Sequence, residues 1–178
     1  MFRNFRKKIE EANSYESIYH VIGQELWLGE QLLKKEALSE QQQALGLFAE
    51  ASQYAHRIAE DPHLAARICE GFIWPNLQAT NGQARNQTAT LLQTCSQAFQ
   101  QADETNNLIK NYQLALRFSS PGRPADGARL QLANLLTQTG SFEEALRLYR
   151  EITDTNFVEM AERRIASLNQ RRNSPARP

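Results

Sequence analysis

The sequence of 178 residues predicts an all-α protein. Apolar residues recur at the i, i+3, i+4, i+7 spacing of a helix along most of the chain, while the strict alternation of a β-strand is almost absent. Breakers such as Asp61-Pro62 and the SSPGRP stretch at 119–124 divide this pattern into segments of helical length. The predicted helices span 14–38, 41–60, 62–79, 85–102, 104–118, 125–139, 141–153 and 155–170.

Local signals predict where the early helices begin and end. Ser39 is a candidate N-cap for helix 41–60, since its hydroxyl can accept a hydrogen bond from a free N–H group of the first turn. Asp61 can cap the next helix in the same way, with Pro62 at the first helical position, where proline is tolerated. The Trp74-Pro75 pair should end or kink that helix at Trp74, because proline lacks an N–H and clashes with the preceding turn. Asn81-Gly82 predicts a turn.

Residues 126–159 carry the most specific pattern in the chain. Large and small apolar residues alternate on both sides of the turn pair Gly140-Ser141, and a small residue allows one helix to approach its partner closely. The residues at these offsets are Leu132, Ala133, Leu136, Ala145 and Tyr149. This pattern resembles the tetratricopeptide repeat (TPR) family, whose helix–turn–helix units cannot bury their own apolar face and therefore stack on neighbours.

The resemblance weakens toward the N-terminus. Residues 89–122 fit the repeat, although Asp103-Glu104 stands at the turn where the family usually has glycine. Residues 45–80 fit weakly, because the second helix is out of register by one residue, and residues 1–44 match no repeat position.

The resemblance implies a right-handed array of antiparallel helix pairs, that is, a TPR-like α-solenoid. It has an irregular N-terminal helical part over 13–80 and a C-terminal capping helix over 155–170. The polar outer face of that last helix is what a cap requires. We expect a single domain over 1–170 and a flexible tail at 171–178.

In repeats of this family, the first helix of each pair lines a concave binding surface. The resemblance places seven residues there: Gln93, Gln97, Gln101, Leu130, Gln131, Asn134 and Gln138. The set is uncharged, and each amide has both a donor and an acceptor, so a row of amides can pair with the backbone of an extended peptide. The alternative is that glutamine, a good helix former, serves here as neutral surface filler.

The best-known groove of this family clamps a C-terminal carboxylate with lysine, arginine and asparagine. Only Asn134 stands at one of those positions here, and the cations that would neutralise the carboxylate are missing from the others. We therefore do not expect recognition of that kind.

The resemblance implies a non-enzymatic scaffold or adaptor that binds another protein or a peptide segment. No GxSxG, Walker, HExxH or dinucleotide-binding motif occurs, and we expect neither cofactor nor bound metal. Two alternatives remain. Exposed apolar residues of the irregular N-terminal half could form a homodimer, or the chain could be a helical-bundle metal protein or enzyme.

The three histidines are candidate ligands or bases. Glu16 and His20, and likewise His56 and Glu60, stand four residues apart and are predicted to be surface partners on one helix face. His63 follows Glu60 as an ExxH motif, but a di-metal bundle requires a second such motif, which is absent.

Charge and cysteine content narrow the class of partner. Twenty basic residues balance twenty acidic ones, which argues against nucleic acid as a partner. Residues 13–80 carry nine acidic groups against four basic ones, a net charge of −5, which indicates a solvated face or a surface that orients a basic partner. Cys69 and Cys95 lie in apolar helical patterns, which predicts buried free thiols.

The N-terminal segment bears on location. Residues 1–12 form a short basic amphipathic stretch, for which docking onto the array or fraying is favoured over contact with a membrane surface. The segment lacks the apolar core of a secretory signal, and no apolar run has the length of a membrane span, so we expect a cytoplasmic protein.

Overall fold

The structure is a computed structural model that describes residues 15–35, 37–77 and 85–173. Regular secondary structure in these residues is entirely helical, which confirms the all-α prediction for them. The chain divides into two compact units, Met1–Glu104 and Thr105–Pro178. The single domain over 1–170 stays a prediction. The predicted turn at Asn81-Gly82 and the end of the tail, 174–178, lie outside the described residues.

The N-terminal unit contains helices α1 to α5. Their bounds are α1 Tyr15–Leu33, α2 Leu38–Arg57, α3 Pro62–Ile68, a π-helical segment Cys69–Ile73, α4 Trp74–Asn76 and α5 Arg85–Gln101. Helices α1 and α2 pack so closely at Gly29 that a Cβ atom at this position would collide with the Phe48 ring. Glycine is therefore the residue that permits this close approach.

The cap signals are only partly confirmed. Helix α2 begins at Leu38 after Ala37, which makes no side-chain cap, so Ser39 lies inside the first turn and the predicted cap is wrong. The Asp61 prediction is confirmed, because the Leu64 N–H donates to Asp61 Oδ1 at 2.8 Å and Pro62 is the first helical residue.

The Trp74-Pro75 pair does not end the helix. The backbone widens into the π-segment Cys69–Ile73, in which the Trp74 N–H donates to the Cys69 carbonyl five residues earlier. Beyond the proline, the Asn76 side-chain amide donates to the Phe72 carbonyl at 2.8 Å. The wider turn and this side-chain bond let the helix continue to Asn76, where an α-helical ladder would meet the clash expected at proline.

The C-terminal unit contains four helices that surround one apolar core. Their bounds are α6 Thr105–Phe118, α7 Arg123–Gln138, α8 Phe142–Arg150 and α9 Thr155–Asn173. Helices α7 and α8 form a hairpin across a short turn in which Gly140 has a φ of 85°, a left-handed conformation that favours glycine. The core contains Leu130, Leu132, Ala133, Leu136, Ala145, Leu146, Leu148, Tyr149, Ile152, Ala161 and Leu168.

The predicted repeats fall differently on the two units. The repeat at 126–159 corresponds to the α7–α8 hairpin, and its pattern residues, Leu132 and Ala133 among them, are buried as expected. The repeat at 89–122 has its first helix in the N-terminal unit and its second in the C-terminal unit, so the pairing of these helices stays a prediction.

Replacing Ala133 with leucine should lower the free energy of unfolding by ~1–3 kcal/mol. Ala133 is fully buried between packed helices, and a larger side chain there must displace its neighbours. Ala166→Leu on the exposed face of α9 is the matched control and should change stability little. Chemical denaturation measures both, and equal stabilities for the two variants would show that the Ala133 site has unused room.

Candidate functional site

One face of α5 is a row of exposed glutamines. Gln93, Gln97 and Gln101 stand four residues apart, so their side chains leave the helix on the same side. The opposite face of α5 is buried and contains Leu92, Cys95 and Phe99, with the Phe99 ring 4.9 Å from that of Trp74. Core packing therefore fixes which way the glutamines point, and it directs all three to solvent.

A second uncharged face belongs to α7. Gln131 and Gln138 are exposed there, and Asn134 between them is half-buried. The Asn134 side chain is already engaged, because its Oδ1 accepts a hydrogen bond from the Tyr149 hydroxyl at 2.7 Å. That bond links α7 to α8, so Asn134 has a structural role in the hairpin whatever it contacts outside.

Leu130 differs from the other six predicted groove residues. It is only 4% exposed and belongs to the core of the C-terminal unit, so its side chain is not presented at a surface. The amphipathic pattern of α7 explains the difference, since Leu130 continues the apolar stripe of Ala133 and Leu136 rather than the polar row of Gln131 and Gln138.

Two carboxyl groups outside the predicted groove are buried. The first is Asp126, which is 1% exposed and lies in the first turn of α7. Its Oδ2 accepts from the backbone N–H groups of Thr153 and Asp154 at 2.9 and 2.8 Å, and its Oδ1 accepts from Arg129 Nη1 at 2.5 Å. This carboxylate therefore ties the start of α7 to the connection between α8 and α9.

These hydrogen bonds decide the protonation state of Asp126. Burial by itself would raise the pKa of this carboxyl, but the hydrogen bonds from Thr153, Asp154 and Arg129 outweigh burial and lower the pKa below its usual value of 3.8. Asp126 is thus a permanent carboxylate at neutral pH, with its lone pairs occupied by protein donors. It fits a structural anchor and not a proton donor.

The second buried carboxyl is Glu25 on α1, which is 1% exposed and whose Oε2 has no hydrogen-bond partner. Burial, and to a smaller degree the nearby Glu50 carboxylate on α2, raise the pKa of Glu25 to about 8. Glu25 therefore holds its proton at neutral pH. Its position inside the apolar stripe of α1, three residues after Ile22, is the sequence signal that could have identified it.

The histidines depart in part from the predicted pairs. His20 contacts Gln24, with 2.8 Å between the two Nε2 atoms, while the side chain of Glu16 lies outside the described residues. The predicted pairing of His56 with Glu60 is wrong at Nδ1 of His56. This atom is buried and has no hydrogen-bond partner. Helix α2 ends at Arg57 and Glu60 has a φ of 52°, so the i, i+4 geometry of a helix does not reach Glu60.

The third histidine, His63, lies near Glu104. Its Nδ1 lies 3.7 Å from Glu104 Oε1, and the His63 side chain is exposed while that of Glu104 is half-buried.

Within the described ranges, no three histidine, cysteine, aspartate or glutamate side chains gather closely enough to hold a metal ion. In the same residues, no helix combines the length and the apolar character that crossing a membrane requires.

Comparison with known proteins adds no family assignment. No protein-family model matches the chain, and no curated protein matches it at a significant level.

Proposed function

We propose that this protein is a non-enzymatic binding module, which holds an extended segment of a partner polypeptide against the glutamine face of α5. The observation that carries the proposal is the row of Gln93, Gln97 and Gln101, which core packing on the opposite side of α5 holds toward solvent. We propose in addition that the α7–α8 hairpin is a TPR-like repeat, on the strength of its residue pattern and of its buried Leu132 and Ala133.

The spacing of the row suits an extended backbone. Residues four apart on a helix are separated by about 6 Å along its axis. An extended chain presents a backbone N–H and C=O toward the same side at every second residue, about 6.6–6.8 Å apart. Each glutamine amide offers one acceptor and two donor hydrogens, so three successive glutamines can pair with three successive dipeptides of a bound strand.

The uncharged glutamine face predicts how the binding affinity depends on salt. Binding through amides should depend weakly on ionic strength, whereas binding through the acidic residues of 13–80 should weaken as salt screens the attraction. The α7 face with Gln131, Asn134 and Gln138 has the same uncharged composition.

The triple variant Gln93→Ala, Gln97→Ala, Gln101→Ala should bind its partner at least ~10-fold more weakly, since each lost amide pair is worth about 0.5–1.5 kcal/mol. The fold should be unaffected, because alanine is the better helix former and these positions are exposed. Gln43→Ala, an exposed glutamine on α2, is the matched control. A partner recovered from the native cell and identified by mass spectrometry is titrated against each variant by calorimetry, at low and high salt.

Unchanged affinity of the triple variant, together with a steep loss of affinity in salt, would move the binding site from α5 to the acidic residues of the N-terminal unit.

Self-association is the second candidate function, favoured by Trp27 on α1, whose side chain is 62% exposed. Molecular mass across a dilution series distinguishes the two, because only a self-associating chain loses mass on dilution.

A further inference from the structure

The outer face of α1 is a row of exposed residues whose spacing alternates between three and four. The row consists of His20, Gly23, Trp27 and Glu30. It lies on the opposite side of the helix from Glu25, which is buried. Trp27 is the most exposed large apolar side chain in the part of the chain that the structure describes. Spacing of this kind forms the seam of a coiled coil, so the face has the form of a surface that pairs with another helix.

The row contains a notch beside the tryptophan. At Gly23, about one helical turn before Trp27, an added Cβ atom would meet nothing within 4 Å apart from adjacent parts of its own helix. Glycine weakens the interior of a helix, and no close packing within the chain requires it here, in contrast to Gly29. The missing side chain leaves a gap between His20 and Trp27 that is open to an incoming side chain.

The row has the same spacing in both directions along the helix. If two copies of α1 pair antiparallel about a two-fold axis at the level of residue 25, residue 23 faces residue 27 and residue 20 faces residue 30. Trp27 of one copy then enters the Gly23 notch of the other. His20 meets Glu30, and its imidazole can donate a hydrogen bond to the carboxylate. Both contacts occur twice in the pair.

A parallel pair of the same helices would be a poor fit. Each residue of the row would then face its own equivalent, so Trp27 would meet Trp27 and the two notches at Gly23 would enclose an empty space. The Glu30 carboxylates would also repel one another, since like charges would face each other. Shape and charge therefore both favour the antiparallel arrangement.

We propose that the outer face of α1, defined by His20, Gly23, Trp27 and Glu30, is a self-complementary surface through which two copies of this chain form an antiparallel dimer. The proposal gives the self-association considered above a defined surface. It uses none of the α5 glutamines, so it does not depend on the role proposed for them. A contact confined to one helix per copy is at the low end of interface sizes, below about 1,200 Å², so the dimer should dissociate on dilution.

The first test is the molecular mass of the full chain in a dilution series, measured by sedimentation for the parent and for Gly23→Leu. Leucine fills the notch without a clash inside the chain, so the variant should fold as the parent does. The dissociation constant of its dimer should rise at least ~10-fold, because Trp27 is excluded at both symmetric halves of the interface. Gly46→Leu, at an exposed glycine of α2 with equally open surroundings, is the matched control and should dimerise as the parent does.

The leucine variant separates this surface from non-specific association, which an added apolar side chain would strengthen. A Gly23→Leu dimer as strong as that of the parent, or stronger, would overturn the proposal. A parent that remains monomeric up to about 1 mM, where a weak interface is still populated, would overturn it as well. The triple glutamine variant of α5 should dimerise as the parent does, so failure of the peptide site and failure of the dimer can be told apart.

The second test exchanges the charges of the row to determine the register. Glu30→Lys alone should weaken the dimer, because it removes the acceptor for His20. The double variant His20→Glu, Glu30→Lys places opposite charges face to face in the antiparallel register and should restore the affinity of the parent. In a parallel pair, the same double variant would bring like charges together at both positions. A double variant that dimerises no better than Glu30→Lys would overturn the antiparallel dimer.

Discussion

Replacing Asp126 with alanine should lower the free energy of unfolding by ~3 kcal/mol, the larger of the two stability changes that the buried carboxyl groups predict. The variant removes a carboxylate that accepts two backbone hydrogen bonds and one from Arg129, and hydrogen bonds to charged groups are worth about 1.5–3 kcal/mol each. It also leaves the N–H groups of Thr153 and Asp154 without their acceptor. Urea denaturation followed by circular dichroism measures the loss.

Glu159→Ala is the matched control for Asp126→Ala, because Glu159 pairs with Arg163 on the exposed surface of α9. An exposed ion pair contributes about 0–1 kcal/mol, so the control should remain close to the parent. The stabilising effect of Asp126 should also depend on pH. Its pKa is lower in the folded protein than in the unfolded chain, so its contribution is complete above pH 3.8 and is lost as the pH falls below that value. Equal losses in the two variants at neutral pH would contradict the role of Asp126 as an anchor.

Replacing Glu25 with glutamine should make the protein more stable at neutral and alkaline pH. The pKa of Glu25 rises from 4.5 in the unfolded chain to about 8 in the folded protein, so the folded state must retain a proton that the unfolded chain releases. Stability of the parent should therefore fall as the pH rises from about 4.5 to about 8. The variant lacks this loss. The free energy of unfolding of the variant minus that of the parent should therefore be ~1–3 kcal/mol larger at pH 7 than at pH 4, a range that allows for solvent screening.

The measurement for Glu25 is the free energy of unfolding of parent and variant from pH 4 to pH 9. Glu30→Gln, at an exposed position on the same helix, should keep the pH profile of the parent. Glu50→Gln should shift the profile in the same direction as Glu25→Gln but by less, because the Glu50 charge is the smaller cause of the raised pKa. Parallel profiles for the parent and Glu25→Gln would show that Glu25 is not protonated in the folded state.

Local breaker and cap signals predicted some helix ends and not others. Asp61 is an example, since a carboxylate before proline is a local signal that needs no tertiary contact to operate. Ser39 shows the limit of such signals, because its hydroxyl is suited to a cap but the helix begins one residue before it. A residue type suited to a cap therefore does not by itself fix where α2 begins.

The structure agrees with some of the predicted site residues and not with others. The repeat resemblance places the glutamine row of α5 in the candidate site, and the structure shows all three side chains exposed. Leu130 was included through the repeat resemblance, although its apolar side chain already favoured the core. The anchoring role of Asp126 was not predictable, because its hydrogen-bond donors come from residues 153 and 154, and only the fold brings them together.

The π-segment changes the spacing of the buried residues within the second helix of the stretch 45–80. Ala65, Cys69, Ile73 and Leu77 are all buried at intervals of four residues, a spacing that would drift about 40° per step around an α-helix. The turn at Cys69–Ile73 absorbs part of this drift, so it acts as an insertion of one residue that lengthens no loop. An alignment with constant offsets would have to open a gap in the middle of a helix, the place where gaps are least expected. Any ancestry shared between this part of the chain and regular helical repeats would consequently be hidden from comparison by sequence and visible only in the path of the backbone.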